Sequence, residues 1–522
     1  MLRKVRTTLA IVVFVLLTLV FLDVTGTVHK LFGWLAEIQF WPAVLALNVA
    51  VVVLLLVLTF VFGRIYCSVI CPLGVMQDII SRLHSIRKRN RFTYSAEKRW
   101  LRYGFLVVFI VSALAGINVV VSLLAPYSSY GRIAGSLFKP VYQAGNNVLA
   151  AIAEHFNSYA FYSVDVWLKS VPTLLVAIVT LVVIGLLAWR GGRTYCNTVC
   201  PVGTILSLFA RFSLLKIHID DSKCVSCGLC SKNCKASAVD FKHGKIDYSR
   251  CVVCGDCLDK CHTGAMSFGM RKAGKHCVGS SDASSTTVLD KAVSSHTEVS
   301  CAVDKSSSDA SQIDSSRRSF LLGMAIATTG AALAQDKKKV DGGLAAIEDK
   351  IAPKRLTPIT PPGSFSAQYF AQHCTACQLC VSNCPNGVLR PSSDLSTFMQ
   401  PTVSYERGYC RPECTKCGDV CPTGAIRPIT RAEKSATQVG HAVWIRKNCV
   451  PITDGVECGN CARHCPTGAI TMMALNPNDE HSLKIPAVNE SRCIGCGACE
   501  NLCPARPFSA IYVEGHEVHR EV

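Results

Sequence analysis

Short, regularly spaced runs of cysteine constrain this chain more than any other feature. Cys224, Cys227, Cys230 and Cys234 follow the spacing C-x2-C-x2-C-x3-C, and Cys251, Cys254, Cys257 and Cys261 repeat it 27 residues later. Four more quartets follow: Cys374, Cys377, Cys380, Cys384; Cys410, Cys414, Cys417, Cys421; Cys449, Cys458, Cys461, Cys465; and Cys493, Cys496, Cys499, Cys503. Each of these four ends in Cys-Pro, at Pro385, Pro422, Pro466 and Pro504, and CPTGAI stands verbatim at Cys421–Ile426 and Cys465–Ile470, so they are copies of one unit. The second and third widen the first gap to x3 and x8 but keep the closing C-x2-C-x3-C-P. A chain of 522 residues is too long for the small secreted disulfide scaffold, and disulfides have no need of triplets. Zinc sites usually pair two C-x2-C halves. A polynuclear metal centre fits the spacing better than either.

The repeated run is the two-cluster 4Fe-4S pattern, in which the fourth cysteine of each run ligates the other cluster. One cluster is then expected on Cys224, Cys227, Cys230 and Cys261, and another on Cys251, Cys254, Cys257 and Cys234. The usual proline after the fourth cysteine is missing here, since Lys235 and His262 take its place. Six quartets predict six 4Fe-4S clusters. Each cluster with its four thiolates carries about −2 when oxidised, which offsets about 12 of the formal charge. The net charge of +18 therefore calls for no nucleic-acid partner. Of 30 cysteines, 24 fall in quartets; Cys277 and Cys301 sit in a linker and carry no expected role.

The first half is a different material. The chain is 50% hydrophobic and only 17% charged, and four apolar stretches approach the roughly 20 residues of a membrane span: Thr7–Leu22, Ala43–Gly63, Tyr103–Ala125 and Pro172–Trp189. The first follows Arg3, Lys4 and Arg6 and has no small-x-small cleavage site after it, so it reads as an uncleaved helix. Arg64, Arg82, Arg87, Lys88, Arg89, Arg91, Lys98, Arg99 and Arg102 crowd the loop between spans two and three, which places that loop and the amino terminus in the cytoplasm. Trp34, Phe40, Trp41 and Trp189 suit interfacial anchors. His84 reads equally as a loop histidine or a proton acceptor.

GRIYCSVICPLG at residues 63–74 recurs as GRTYCNTVCPVG at residues 192–203. Each copy follows the second helix of a pair, so the membrane half reads as a duplicated two-helix unit. Cys67 with Cys71, and Cys196 with Cys200, share a helix face at a spacing of four. Their spacing is not a standard cluster spacing, and a metal or cluster, a dithiol relay and close helix packing all stay open, with a redox role favoured.

From Gly279 to Ser316 the chain is Ser-rich and reads as a disordered tether. Ser316-Arg317-Arg318-Ser319-Phe320-Leu321-Leu322 then precedes a small apolar stretch ending Ala332-Leu333-Ala334, which reads as a twin-arginine export signal, cleaved after Ala334 or kept as a tether. Such export moves folded proteins, which suits a domain that acquires clusters in a reducing cytosol.

On these motifs residues 1–275 resemble the NapH family, and residues from about 316 resemble the MauM/NapG family, joined end to end. The resemblance implies that membrane quinol is oxidised and its electrons pass to a periplasmic reductase of the nitrate reductase type. It also implies that the last four quartets pair either nested, first with fourth, or sequentially.

The expected architecture is multi-domain. An all-α four-helix membrane domain (residues 1–215) is followed by α+β ferredoxin-like domains, one two-cluster (216–275) and one four-cluster (337–522). A linker (276–315) and the signal or anchor (316–336) join them. The expected place is the bacterial inner membrane, multi-pass, with the first ferredoxin domain cytoplasmic and the second periplasmic. Its partners there are lipid, the quinol pool and a redox protein. Maturation of another redox enzyme and a membrane-anchored cytoplasmic polyferredoxin are the alternatives. No C-x-x-C-H haem site and no dinucleotide fingerprint after a strand is present, so no substrate chemistry beyond electron transfer is expected.

Overall fold

The computed structural model describes residues 2–23, 26–87, 92–270, 350–479 and 482–522. The Ser-rich linker, Cys277, Cys301 and the twin-arginine stretch lie outside the described residues.

Among the described residues two helices are long and apolar enough to cross a bilayer, Leu2–Leu22 and Val171–Gly191, each of 21 residues. At 1.5 Å per residue each is roughly 31 Å long, the thickness of a hydrocarbon core. The expectation of four such helices is corrected at the other two stretches. The second is cut at Leu47, where φ turns to +53°, and restarts with the Asn48 side chain capping Val51 N, leaving a helix of 14 residues at Val49–Phe62. The third breaks at Gly116, φ +73°, into Arg99–Leu114 and Asn118–Leu124. In both places a turn residue outweighs apolar content, because hydropathy does not register a backbone that changes direction.

All four apolar segments nevertheless turn large side chains outward. Leu9, Val12, Val15, Val53, Leu54, Val57, Val107, Val108, Val111, Val179, Val182 and Val183 are each about half exposed or more. A soluble monomer rarely exposes so much contiguous apolar surface. The expected aromatic anchors divide. Trp34 is exposed, but Phe40 is buried, Trp41 packs edge-on against Phe109 at 4.5 Å, and Trp189 lies over the ring of His84 at 4.3 Å. His84 thus belongs to the helix Pro72–Arg87 rather than to a loop.

Two of the nine basic residues counted toward topology also serve another purpose. Arg64 and Arg102 are fully buried and both donate to Ser249 O, at 3.1 and 3.2 Å, in the segment leading to Cys251.

The two-quartet module is built from antiparallel pairs, Leu215–Ile219 with Met266–Met270 and Val239–Asp240 with Lys245–Ile246. The four-quartet module has three such pairs. Leu389–Pro391 pairs with Pro401–Val403, Thr437–Trp444 with Ile511–Glu521, and Ile470–Ala474 with Lys484–Val488. The buried centre of each module is made of cysteines packed with small and branched apolar side chains rather than of extended sheet faces.

Asp78 ties the membrane half together. Its carboxylate meets Arg6 at 3.1 Å from the first helix, Arg193 at 2.8 Å from the second repeat, and Lys235 at 3.8 Å from the two-quartet module. Burial alone would raise its pKa, but Arg193, Lys235 and Arg6 outweigh it and hold the carboxyl well below the usual range. Asp78→Ala would strand two buried guanidinium groups, a loss of about 3–5 kcal/mol. Thermal unfolding of the detergent-solubilised chain should fall accordingly, with Asp78→Asn intermediate; an unchanged midpoint would remove Asp78 from this role.

Candidate metal centres

The backbone prepares the cysteine loops before any side chain is considered. In each run with the plain x2 spacing, the residues before and after the second cysteine have positive φ: Ser226 and Gly228, Val253 and Gly255, Ala376 and Gln378, Gly495 and Gly497. Successive residues of this kind turn amide N–H groups inward and make a concavity suited to negative charge. Ser226, Val253, Ala376 and Gln378 hold this conformation without being glycine, a local strain that collects at functional sites. The fourth cysteines are served similarly: Cys234, Cys421, Cys465 and Cys503 accept backbone N–H groups from Ala238, Ile426, Ala469 and Ala510 at 3.3–3.4 Å.

Every quartet exchanges its fourth thiol with a neighbour. Cys251, Cys254 and Cys257 cluster with Cys234. Cys230 has Cys224 and Cys227 beside it and shares a small core with Cys261. In the second module Cys374, Cys377 and Cys380 meet Cys421, while Cys410, Cys414 and Cys417 meet Cys384. Likewise Cys449, Cys458 and Cys461 meet Cys503, and Cys493, Cys496 and Cys499 lie by Cys465. The pairing is therefore sequential, first with second and third with fourth, and the nested alternative is set aside. The two pairs join where Cys410 N donates to Cys496 O at 2.9 Å, with buried Tyr405 between the two groups and its hydroxyl on Gly495 O. A Cβ at Gly497 would lie 2.2 Å from the Tyr405 ring, so only glycine fits there.

The 28 described cysteines are free thiols. Burial pushes those of Cys251, Cys377 and Cys496 up to about 12, so binding iron must release protons from them. No group of three or more His, Cys, Asp or Glu among the described residues is close enough to hold a single metal ion.

The membrane repeats form a further group. Cys67, Cys71, Cys196 and Cys200 lie within one another's electrostatic reach and are 4–5% exposed. Nearly every residue the motif repeats has a task. Arg64 donates to Cys196 O at 2.9 Å while Arg193 donates to Cys67 O, so each repeat's arginine holds the other repeat's first cysteine. The second glycine of each copy makes room: a Cβ at Gly74 would sit 2.2 Å from Cys67 O and 2.9 Å from Arg193, and one at Gly203 would sit 2.5 Å from Cys196 O and 2.6 Å from Arg64. Tyr66 and Tyr195 are buried beside the thiols, and Pro72 and Pro201 open the helices that follow.

Comparison with known proteins bears on both halves. Residues 373–442 and 456–506 match the family described as 4Fe-4S dicluster domain, and residues 44–91 and 171–220 match the family described as 4Fe-4S binding domain. The methylamine utilization ferredoxin-type protein MauM of Methylobacillus flagellatus is 32% identical over 31% of this chain and 70% of its own length. The ferredoxin-type protein NapG of Escherichia coli is 31% identical over 32% of this chain and 78% of its own. The chain belongs to the MauM and NapG family of ferredoxin-type proteins. An uncharacterized Methanocaldococcus jannaschii protein, MJ0749, is 25% identical over 41% of this chain and 68% of its own length. No solved structure matches. As a ferredoxin-type protein the chain carries 4Fe-4S clusters and transfers electrons.

Sequence reasoning missed the residue that replaces the positive-φ loop where the spacing widens to x3. Lys434, 5% exposed on the helix Arg431–Ala436, places Nζ 3.3 Å from Cys410 Sγ and donates to Arg411 O and Cys414 O at 3.0 and 2.9 Å. Its only signal is the capping box of Thr430 and Glu433 that starts its helix. A cation there stabilises the extra electron of a reduced cluster. Lys434→Met should lower the midpoint potential of one cluster in an EPR-monitored titration while Lys434→Arg keeps it; equal potentials in all three proteins would refute the assignment.

Proposed function

We propose that this ferredoxin-type chain is a membrane-embedded electron conductor, taking electrons from quinol and delivering them to a redox partner on the opposite face. The ligands in this reading are the 24 quartet cysteines, grouped as described above, six clusters in all. Each cluster, when bound, takes up and gives back one electron.

One observation carries the reading. The two modules hold opposite ends of the same two 21-residue apolar helices. At one end Arg3 pairs with Asp256 at 2.9 Å, and Arg193 N, two residues past Gly191, donates to Lys235 O at 2.9 Å. At the other end Asn383 donates to Val20 O at 3.4 Å, and Lys169, just before Val171, donates to Val381 O. Helices of bilayer length with a cysteine module at each end suit transport of charge across the membrane. Leaving out the buried Arg64 and Arg102, seven basic residues between Arg82 and Arg99 favour the two-quartet module as the cytoplasmic one.

A small cleft of about 60 Å³, lined by Lys139, Trp167, Lys169, Gln378, Val381 and Ser382, lies where an apolar helix meets the Cys374–Cys384 loop. It is our candidate point of contact for the quinol headgroup. Burial and neighbouring Lys169 bring Lys139 down to about 7, which suits it to accept a proton as quinol is oxidised.

Protease added to intact spheroplasts should digest the four-quartet module of the wild-type chain and spare the two-quartet module, and Arg317→Lys with Arg318→Lys should protect both. In membranes from the same cells a reduced quinol analogue should bleach the visible cluster absorbance. Protection of the four-quartet module in wild type as well would put all the clusters on one side and end the conductor reading in favour of a polyferredoxin.

A further inference from the structure

The 4+4 spacing of the membrane cysteines leaves their task open, and the tertiary structure narrows it. We propose that Cys67, Cys71, Cys196 and Cys200 hold a further 4Fe-4S cluster, shared between the two repeats, which relays electrons from one ferredoxin module to the other. This rests on the reading of the six quartets as cluster sites and adds a seventh.

Four features point to a cluster rather than to a dithiol relay or to close packing. The thiols converge two from each repeat, all four buried, with each repeat's arginine on the carbonyl of the other repeat's first cysteine. Cys200 Sγ accepts the Gly203 N–H at 3.4 Å, as the fourth cysteine of each of four quartets accepts one.

Charge is the third feature. Arg64 is fully buried, and its partners are Asn197 Oδ1, Ser249 O, Cys196 O and Cys67 Sγ at 3.9 Å, none of them a carboxylate. A buried guanidinium without a counterion is costly, and a four-thiolate cluster supplies net charge of about −2.

Position is the fourth. On one side Arg64 joins the group to Cys251, and Asn197 Nδ2 donates to Ala236 O at 3.1 Å beside Cys234. On the other, Tyr66 lies against Cys67, Cys71 and Cys200, and next to it Tyr127 lies against Cys377 and Cys421. Tyr127 is 2% exposed and its hydroxyl has no partner, a donor free for a cluster sulfide. Gly131, one helical turn on, brings that helix so close that a Cβ would lie 2.2 Å from Cys377 O. The electron step needs no bond or proton: one neighbouring cluster is oxidised as the shared cluster is reduced, and the next is reduced as it is reoxidised.

The test is iron and acid-labile sulfide per chain in the full-length protein, purified anaerobically in detergent. Seven clusters predict about 28 of each, and Cys67→Ser with Cys196→Ser should leave about 24. About 24 in wild type, with four thiols free to alkylate or two disulfides in their place, would overturn the shared cluster while leaving the six quartets standing. A wild-type value far below 24 would instead sink the reading of the quartets. Should the double variant fail to accumulate, the wild-type count decides by itself, and Cys196→Ala alone, a smaller change, should lose about four iron atoms.

Discussion

Among the described residues no thiol group is supplied by one segment of chain. Every quartet gives its fourth cysteine to a partner run, and the membrane group takes two from each repeat. Each group is therefore a covalent-strength staple between segments once metal is bound, and the fold is what lets these segments meet. That is why short two-stranded sheets suffice: the cross-links, rather than extended sheet faces, set the positions of the loops.

The same exchange governs the membrane half through hydrogen bonds. Arg64 and Arg193 each reach across to the other repeat's cysteine carbonyl, and Gly74 and Gly203 clear their way. Such buried guanidinium groups would be costly alone. Arg193 is neutralised by Asp78, which also gathers Arg6 and Lys235, so one carboxylate fixes the first helix, the second repeat and the two-quartet module together. Lys235 stands where ferredoxin runs usually have proline. Its carbonyl accepts from Arg193 and its ammonium reaches Asp78 and Asp256, so the departure from pattern marks a docking residue. His262, at the equivalent position of the next run, is exposed and docks nothing comparable.

Legibility in the sequence followed the range of the interactions. The quartets, the repeat and the apolar stretches are local patterns, and they were readable because ligand spacing and hydropathy are properties of neighbouring residues. The breaks at Leu47–Asn48 and Gly116 were not, since a window of apolar residues averages over a turn. Arg64 and Arg102 misled for a related reason: a basic residue in a loop counts as surface charge until the structure buries it against Ser249. Lys434 was invisible because it follows Cys410 by 24 residues and acts through space.

By itself the sequence determined that this chain binds iron–sulfur clusters, how many four-cysteine runs it has and that its first half is apolar. All three are set by residue identity and short-range spacing. The tertiary structure alone decided that the last four quartets pair sequentially, that two distant cysteine pairs become one buried group, and that the two modules grip opposite ends of the same helices. Those facts depend on which segments approach one another across hundreds of residues, where packing, buried charge and the space left by a glycine decide, and spacing along the chain carries no record of them.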